Sequence, residues 1–155
     1  MADLGTIGTK AMLTKVSKDL GPRIAFRGLV CANQSMVAGG QDLVVGNAAP
    51  SFRMDARGNW SAWIYFDSGT NTIQVDVQQA VNLSPRPTIT VHSDSTVGIN
   101  SDIVGTAASG TGWVTIGPLS VSPSAAAVLL VSLSNNYDAQ FTGAPCYWDN
   151  LITSP

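Results

Sequence analysis

The chain is 155 residues long, 45% hydrophobic and 12% charged, with a formal net charge of −2. Soluble domains average about 25% charged residues, so the exterior must be finished with Ser, Thr, Asn, Gln and Gly; a disordered chain, which joins low hydrophobicity to high net charge, is excluded. At this length one domain buries roughly two thirds of its unfolded surface, enough for a core without metal or disulfide staples.

The acidic residues are all Asp and the lysines few. The chain therefore lacks the long polar residues that exposed helix faces favour, whereas Val, Ile, Thr, Gly and Asn abound and point to an all-β fold. Lys10, Lys15, Lys18, Arg23, Arg27, Arg53 and Arg57 precede residue 60 and only Arg86 follows. This density is too low for a nucleic-acid footprint. No stretch spans a bilayer, and Met1–Gly5 lacks the basic region and apolar core of a signal peptide, so synthesis in the cytoplasm is expected. Two buried free thiols are expected at Cys31 and Cys146 rather than a disulfide.

Residues 1–24 read as an N-terminal arm: a short helix capped by Thr9, with Met12, Val16 and Leu20 on one face and a stop at Gly21-Pro22, or, the preferred reading, an extended segment with Leu4, Ile7 and Leu13 spaced by small residues to lie along a neighbouring surface; residues 25–155 read as a single β-sandwich. Residues 23–32 form the first predicted strand, broken at Gly28, and 41–45 a second. Asp55-Ala56-Arg57-Gly58-Asn59 reads as a polar turn, followed by the strongest strand signal, Trp60–Phe66. There Trp60, Ala62, Ile64 and Phe66 point one way and Ser61, Trp63 and Tyr65 the other. After a turn at Asp67–Asn71, residues 72–79 alternate cleanly, with Ile73, Val75 and Val77 facing in. Residues 88–92 follow, with Ile89 and Val91 facing in. Further strands are predicted at 113–116, 119–121, 126–133 and 147–153, with Pro118, Pro123 and Pro145 between them. Eight or nine short strands at this spacing predict a two-layer antiparallel β-sandwich of jelly-roll type.

The segments Trp60–Phe66, Gly112-Trp113-Val114-Thr115-Ile116, Ala127–Leu133 and Tyr147-Trp148-Asp149-Asn150-Leu151 resemble carbohydrate-binding-module-like jelly rolls, whose last strand typically reads aromatic-Asp-Asp/Asn-aliphatic. The opening, Met1 to Thr9, resembles small virion structural proteins of tailed bacteriophages, which often set an N-terminal arm before a β-sandwich. That second resemblance implies a virion-surface protein made in the host cytoplasm, a capsid decoration protein or, less strongly, a tail component. Its partners would be the major capsid protein or other virion subunits, further copies of itself as a homo-oligomer, and a possible host glycan.

Trp63 and Tyr65 leave one face of one strand an i to i+2 step apart and could stack on sugar rings; the favoured reading is that they cover an apolar layer or a subunit contact. Trp60 belongs to the core, while Trp113 and Trp148 could be core or rim. Asp149, with Asp94, Asp102 or Asp138, could supply oxygens to a structural calcium, but no ligand loop of diagnostic spacing is present and turn-forming Asp residues bonding nearby amides are the favoured reading. No other metal or cofactor is expected. His92 is the only histidine; it cannot build a multi-histidine metal site but would suffice for a Ser-His-Asp triad. With no nucleophile elbow and no phosphate-binding loop, a non-enzymatic protein is expected. The expected function is decoration and cementing of a phage capsid through the arm residues Leu4, Ile7, Lys10, Leu13, Lys15 and Lys18. The alternative is a carbohydrate-binding module with Trp63 and Tyr65 as its stacking platform.

Overall fold

A computed structural model describes residues 23–24, 35–42, 51–137 and 144–155. These residues form an all-β, two-layer antiparallel sandwich with the strands β1 (Arg23–Ile24), β2 (Ser35–Asp42), β3 (Ser51–Phe66), β4 (Asn71–Gln79), β5 (Thr88–Val91), β6 (Ile103–Thr106), β7 (Trp113–Val121), β8 (Ala127–Ser134) and β9 (Cys146–Ser154). Neighbours follow the order β6-β5-β8-β3-β9-β4-β7, with β1 paired to β9 and β2 to β3.

The two layers share β3. Its second half, Asn59–Phe66, pairs with β8, while Phe52–Met54 at its start pair with β9. One layer is thus β6-β5-β8-β3 and the other β3-β9-β4-β7. The free ends of the path approach each other: a side chain built on Gly105 of β6 would come within 2.5 Å of Ile116 Cγ2 on β7, so the sandwich is nearly closed.

Period-2 alternation places the core where the sequence predicts it. Trp60, Ala62, Ile64 and Phe66 on β3, Ile73, Val75 and Val77 on β4, and Ile89 and Val91 on β5 are all buried in one cluster. Trp148, left open between core and rim, is fully buried between the layers. Cys146 is a buried free thiol.

Several strand bounds differ from expectation. Asp55–Asn59 does not turn the chain; β3 runs 16 residues through it. Arg57 adopts a left-handed φ of 57° there, and β2 shifts register across the same stretch, so the polar residues make a bulge rather than a reversal. The strands predicted at 113–116 and 119–121 are one strand, with Gly117 and Pro118 absorbed as a second bulge opposite Ile73–Val75. Of the strand predicted at 41–45, Gln41 and Asp42 end the observed strand Ser35–Asp42 and 43–45 lie outside the described residues; Ile103–Thr106 is a strand the sequence pattern does not predict. Arg23 and Ile24, at the expected junction of arm and sandwich, pair with Ile152 and Leu151 of β9.

Candidate functional site: the outer face of β3 and β8

The inward set on β3 forces Ser61, Trp63 and Tyr65 onto the opposite face. Antiparallel register places Ser132, Leu130 and Val128 of β8 beside them in turn. Successive outward residues stand about 7 Å apart along each strand. Trp63 keeps 36% of its surface exposed, unusual for so large an apolar side chain. Tyr65 is half-buried; its hydroxyl donates to Asp67 Oδ1 at 2.7 Å, and that bond is the first cause of its pKa lying above the ordinary phenol value.

The segment between β5 and β6 rises beside this face and is held firmly. Asp94 Oδ1 accepts from Thr96 N at 3.0 Å and from Thr96 Oγ1 at 2.6 Å, capping a single 3-10 turn. Gly98 closes that turn at φ 79°, and the backbones of Asp94 and Ile99 bond each other in both directions. Buried Ile99 pins the segment to the core, and Ser124 N donates to Val97 O from the turn before β8.

Between this segment and the strands lies an open cleft of about 550 Å³, lined by Trp63, Leu130, His92, Asp94 and Asn100 among others. A smaller hollow of about 180 Å³ lies beside Tyr65, Thr96, Val97 and Val128. Asp94 borders both, so each predicted aromatic lines its own depression.

His92 links the cleft wall to β8. Its backbone N–H donates to Leu130 O at 2.9 Å, and its ring Nε2 lies 2.8 Å from Ser132 Oγ. Its Nδ1 is 3.5 Å from Asp102 Oδ2, and Asp102 Oδ1 accepts from Ser93 N at 2.7 Å. The Ser93 amide, with His92 as a lesser contributor, holds the Asp102 carboxyl below the ordinary carboxylate range.

The other layer presents a polar face. Gln78 of β4 stands between Trp113 of β7 and Tyr147 of β9. Trp113 is therefore a partly exposed rim residue, which resolves its assignment. Asp76 accepts from Thr115 Oγ1 at 2.7 Å and from Asn150 Nδ2 at 2.8 Å, tying the strands on either side of β4 to it. Asp149 lies opposite Asp76 in register, is buried, and accepts from Asn150 N at 2.8 Å.

Of the expected calcium set, Asp149 is on this layer while Asp94 and Asp102 flank the cleft of the other, and Asp138 lies outside the described residues. Among the described residues no group of three His, Cys, Asp or Glu side chains could hold a metal ion. The expected arm residues Leu4, Ile7, Lys10, Leu13, Lys15 and Lys18, and also Cys31, lie outside the described residues. Among the described residues no helix is long and apolar enough to cross a membrane.

Sequence reasoning identified Trp63 and Tyr65 but not Leu130, Asn100 or Ser132 as their surroundings. Asp94-Ser95-Thr96-Val97-Gly98 carried a usable signal, an N-cap followed by a left-handed glycine. The contribution of β8 carried none, because it depends on register between strands far apart in sequence.

No protein-family model matches the chain, and no curated protein matches it. Solved structures do share its fold. A β-1,3-glucan-binding family 6 carbohydrate-binding module from Bacillus halodurans superimposes with a TM-score of 0.52 at 12% identity, covering 85% of this chain and 96% of that one. The K1 cleaved adhesin domain of Lys-gingipain from Porphyromonas gingivalis gives 0.52 at 12% identity, over 85% of this chain and 96% of that one. The CBM22-1 and GH10 modules of an endo-1,4-β-D-xylanase from Clostridium thermocellum, complexed with xylohexaose, give 0.50 at 12% identity over 79% of this chain. The match spans only 24% of that longer protein. None of the three is a virion protein, and at such identities the likeness establishes the fold: a jelly roll of the kind found in carbohydrate-binding modules and in a bacterial adhesin domain.

Proposed function

We propose that the protein is a carbohydrate-binding domain that holds a sugar ring against Trp63 in the cleft between the β3–β8 face and the 92–100 segment. The observation that carries this reading is the exposed indole of Trp63 at the edge of a 550 Å³ cleft whose other wall offers Asp94, Asn100 and His92. An apolar ring beside a few convergent polar groups suits a pyranose, whose axial C–H face packs on the indole while its hydroxyls find hydrogen-bond partners. Tyr65 and its smaller hollow extend the surface along β3, which suits a chain of sugars rather than one. The fold supports the reading by analogy, since two of the solved domains that share it bind β-1,3-glucan or are complexed with xylohexaose.

The test is affinity electrophoresis and calorimetry against a panel of soluble glucans, xylans and chitin oligomers. The wild-type protein is expected to bind at least one of them. Trp63→Ala is expected to weaken that binding about tenfold or more, the factor that corresponds to roughly 1.4 kcal/mol. Trp63 points away from the core, so the circular dichroism of the variant should match the wild type. Equal affinity of the variant and the wild type, or no binding by the wild type, overturns the proposal.

A further inference from the structure

We propose that Ser132, His92 and Asp102 form a hydrolytic relay that cleaves an O-acetyl ester carried by the glycan bound at the Trp63 cleft. The proposal rests on the carbohydrate-binding reading for the carrier of the ester, and for the chemistry on the geometry of β8 with the residues just after β5 and just before β6.

Register builds the relay. Thr90 of β5 lies opposite Ser132 of β8, so the residue two positions on, His92, continues along the same outward face. The His92 N–H bond to Leu130 O then lays the imidazole against β8, with Nε2 at 2.8 Å from Ser132 Oγ. On the far side of the ring Asp102 Oδ2 stands 3.5 Å from Nδ1, and the Ser93 amide anchors that carboxylate through its other oxygen. A carboxylate at Nδ1 favours the tautomer with its proton there, leaving Nε2 as the acceptor for the Ser132 hydroxyl. A nucleophile, a base within hydrogen-bond reach and a carboxylate that orients the base are the parts that acyl transfer needs.

The Ser132–His92 bond could serve only to tie β5 to β8. Those strands are already joined by a ladder through all four residues of β5, from Thr88 to Val91. The imidazole also lines the cleft, with 38% of its side chain exposed, so the base stands where a ligand would sit. Ser132 itself is 7% exposed and meets the cleft only through His92, which lines it; this restricts the acyl group to a small one such as acetyl.

The reaction balances without any oxidant or cofactor. Ser132 Oγ attacks the ester carbonyl carbon as His92 Nε2 takes the hydroxyl proton. The carbonyl π pair becomes an oxyanion on the tetrahedral carbon. Collapse of the oxyanion breaks the bond to the sugar oxygen, which takes the proton from His92 and leaves as an alcohol. Water then attacks acetyl-Ser132, giving one proton to His92; expulsion of Ser132 Oγ, reprotonated by His92, releases acetic acid. Ser132 and His92 are the catalytic residues, and Asp102 is a positioning residue.

The experiment uses the full chain with a fluorophosphonate probe and, separately, p-nitrophenyl acetate. One adduct is expected, mapped by mass spectrometry to Ser132, and lost in His92→Ala. Ester hydrolysis by the wild type should exceed that of Ser132→Ala by roughly 100-fold. Asp102→Asn should lower kcat for p-nitrophenyl acetate with KM unchanged, and Asp102→Glu should restore part of the loss. No adduct on the wild-type protein, an adduct elsewhere, or equal hydrolysis by Ser132→Ala overturns the relay. Neither probe contains a sugar, so the relay can fail while glycan binding stands, and glycan binding can fail while Ser132 is still labelled.

Discussion

Trp60 and Trp63 sit on one strand and do opposite things. Trp60 is 2% exposed and meets Phe52 edge-on, with ring centroids 6.4 Å apart. Trp63 faces the other way and gives the cleft its indole. Parity alone separates them, since positions an odd number apart on a strand face opposite sides. The same parity buries Cys146 beside the core while Tyr147 faces outward. Burial pushes the Cys146 thiol well above its ordinary pKa, so at neutral pH the reactive thiolate is scarce as well as inaccessible. Iodoacetamide should therefore leave Cys146 unmodified in the native protein and modify it readily in urea, as read by peptide mapping. Native modification at the rate of a free thiol would show that this end of β9 opens far more often than its packing implies.

At the scale of elements, local pattern foretold the strands that are straight and missed the features that bend them. Alternation at Trp60–Phe66 and at 72–79 was legible because each residue's environment there is set by its own side chain. Asp55–Asn59 reads as a turn on composition, yet two neighbours hold it in the sheet: Arg57 N donates to Tyr137 O, and Asn135 N donates to Gly58 O. Gly117-Pro118 likewise looks like a break between strands, but β4 pairs on both sides of it. The cleft was half legible. Its aromatics follow from one strand's alternation, whereas the His92–Ser132–Asp102 cluster exists only through the pairing of β5 with both β8 and β6. Gly117 shows what the second bulge requires. Its φ is 109°, and a Cβ there would lie 2.7 Å from Ile73 O, a backbone atom with little room to retreat. Gly69 has a φ of 90° with open space around it. Gly117→Ala should therefore cost roughly 2–3 kcal/mol and Gly69→Ala about 1 kcal/mol, from backbone strain alone. Urea denaturation of the two variants checks the order; equal losses would mean that β7 shifts freely at the bulge.

For the molecule as a whole, the shared strand decides how the two layers depend on each other. Because β3 leaves β8 for β9 partway along its length, neither layer can unravel without taking part of the other with it. The fork is closed by Asn135, which is 1% exposed and donates from Nδ2 to Met54 O and to Ala144 O, both at 3.1 Å. Beside it Tyr137 is fully buried, its hydroxyl 2.6 Å from Gln79 Oε1 and 2.7 Å from Val81 O. Gln79 in turn donates to Ala108 O at 2.9 Å and to Gly110 O at 3.2 Å. This polar chain joins the end of β8 to the end of β4 and to the connection between β6 and β7. A buried network of satisfied amides specifies one arrangement, because removing any member strands its partners. Asn135→Ala leaves two buried carbonyls without that donor and should cost roughly 2–3 kcal/mol. The loss should appear as a single unfolding transition moved to lower urea, with far-ultraviolet circular dichroism and tryptophan fluorescence coincident as in the wild type. Trp60 and Trp63 report on the β8 side of the fork and Trp113 on the β4 side, so independent layers would reveal themselves as separated transitions. Two transitions in the wild type would show that β3 is no common hinge, whereas two in Asn135→Ala alone would locate the coupling in that side chain.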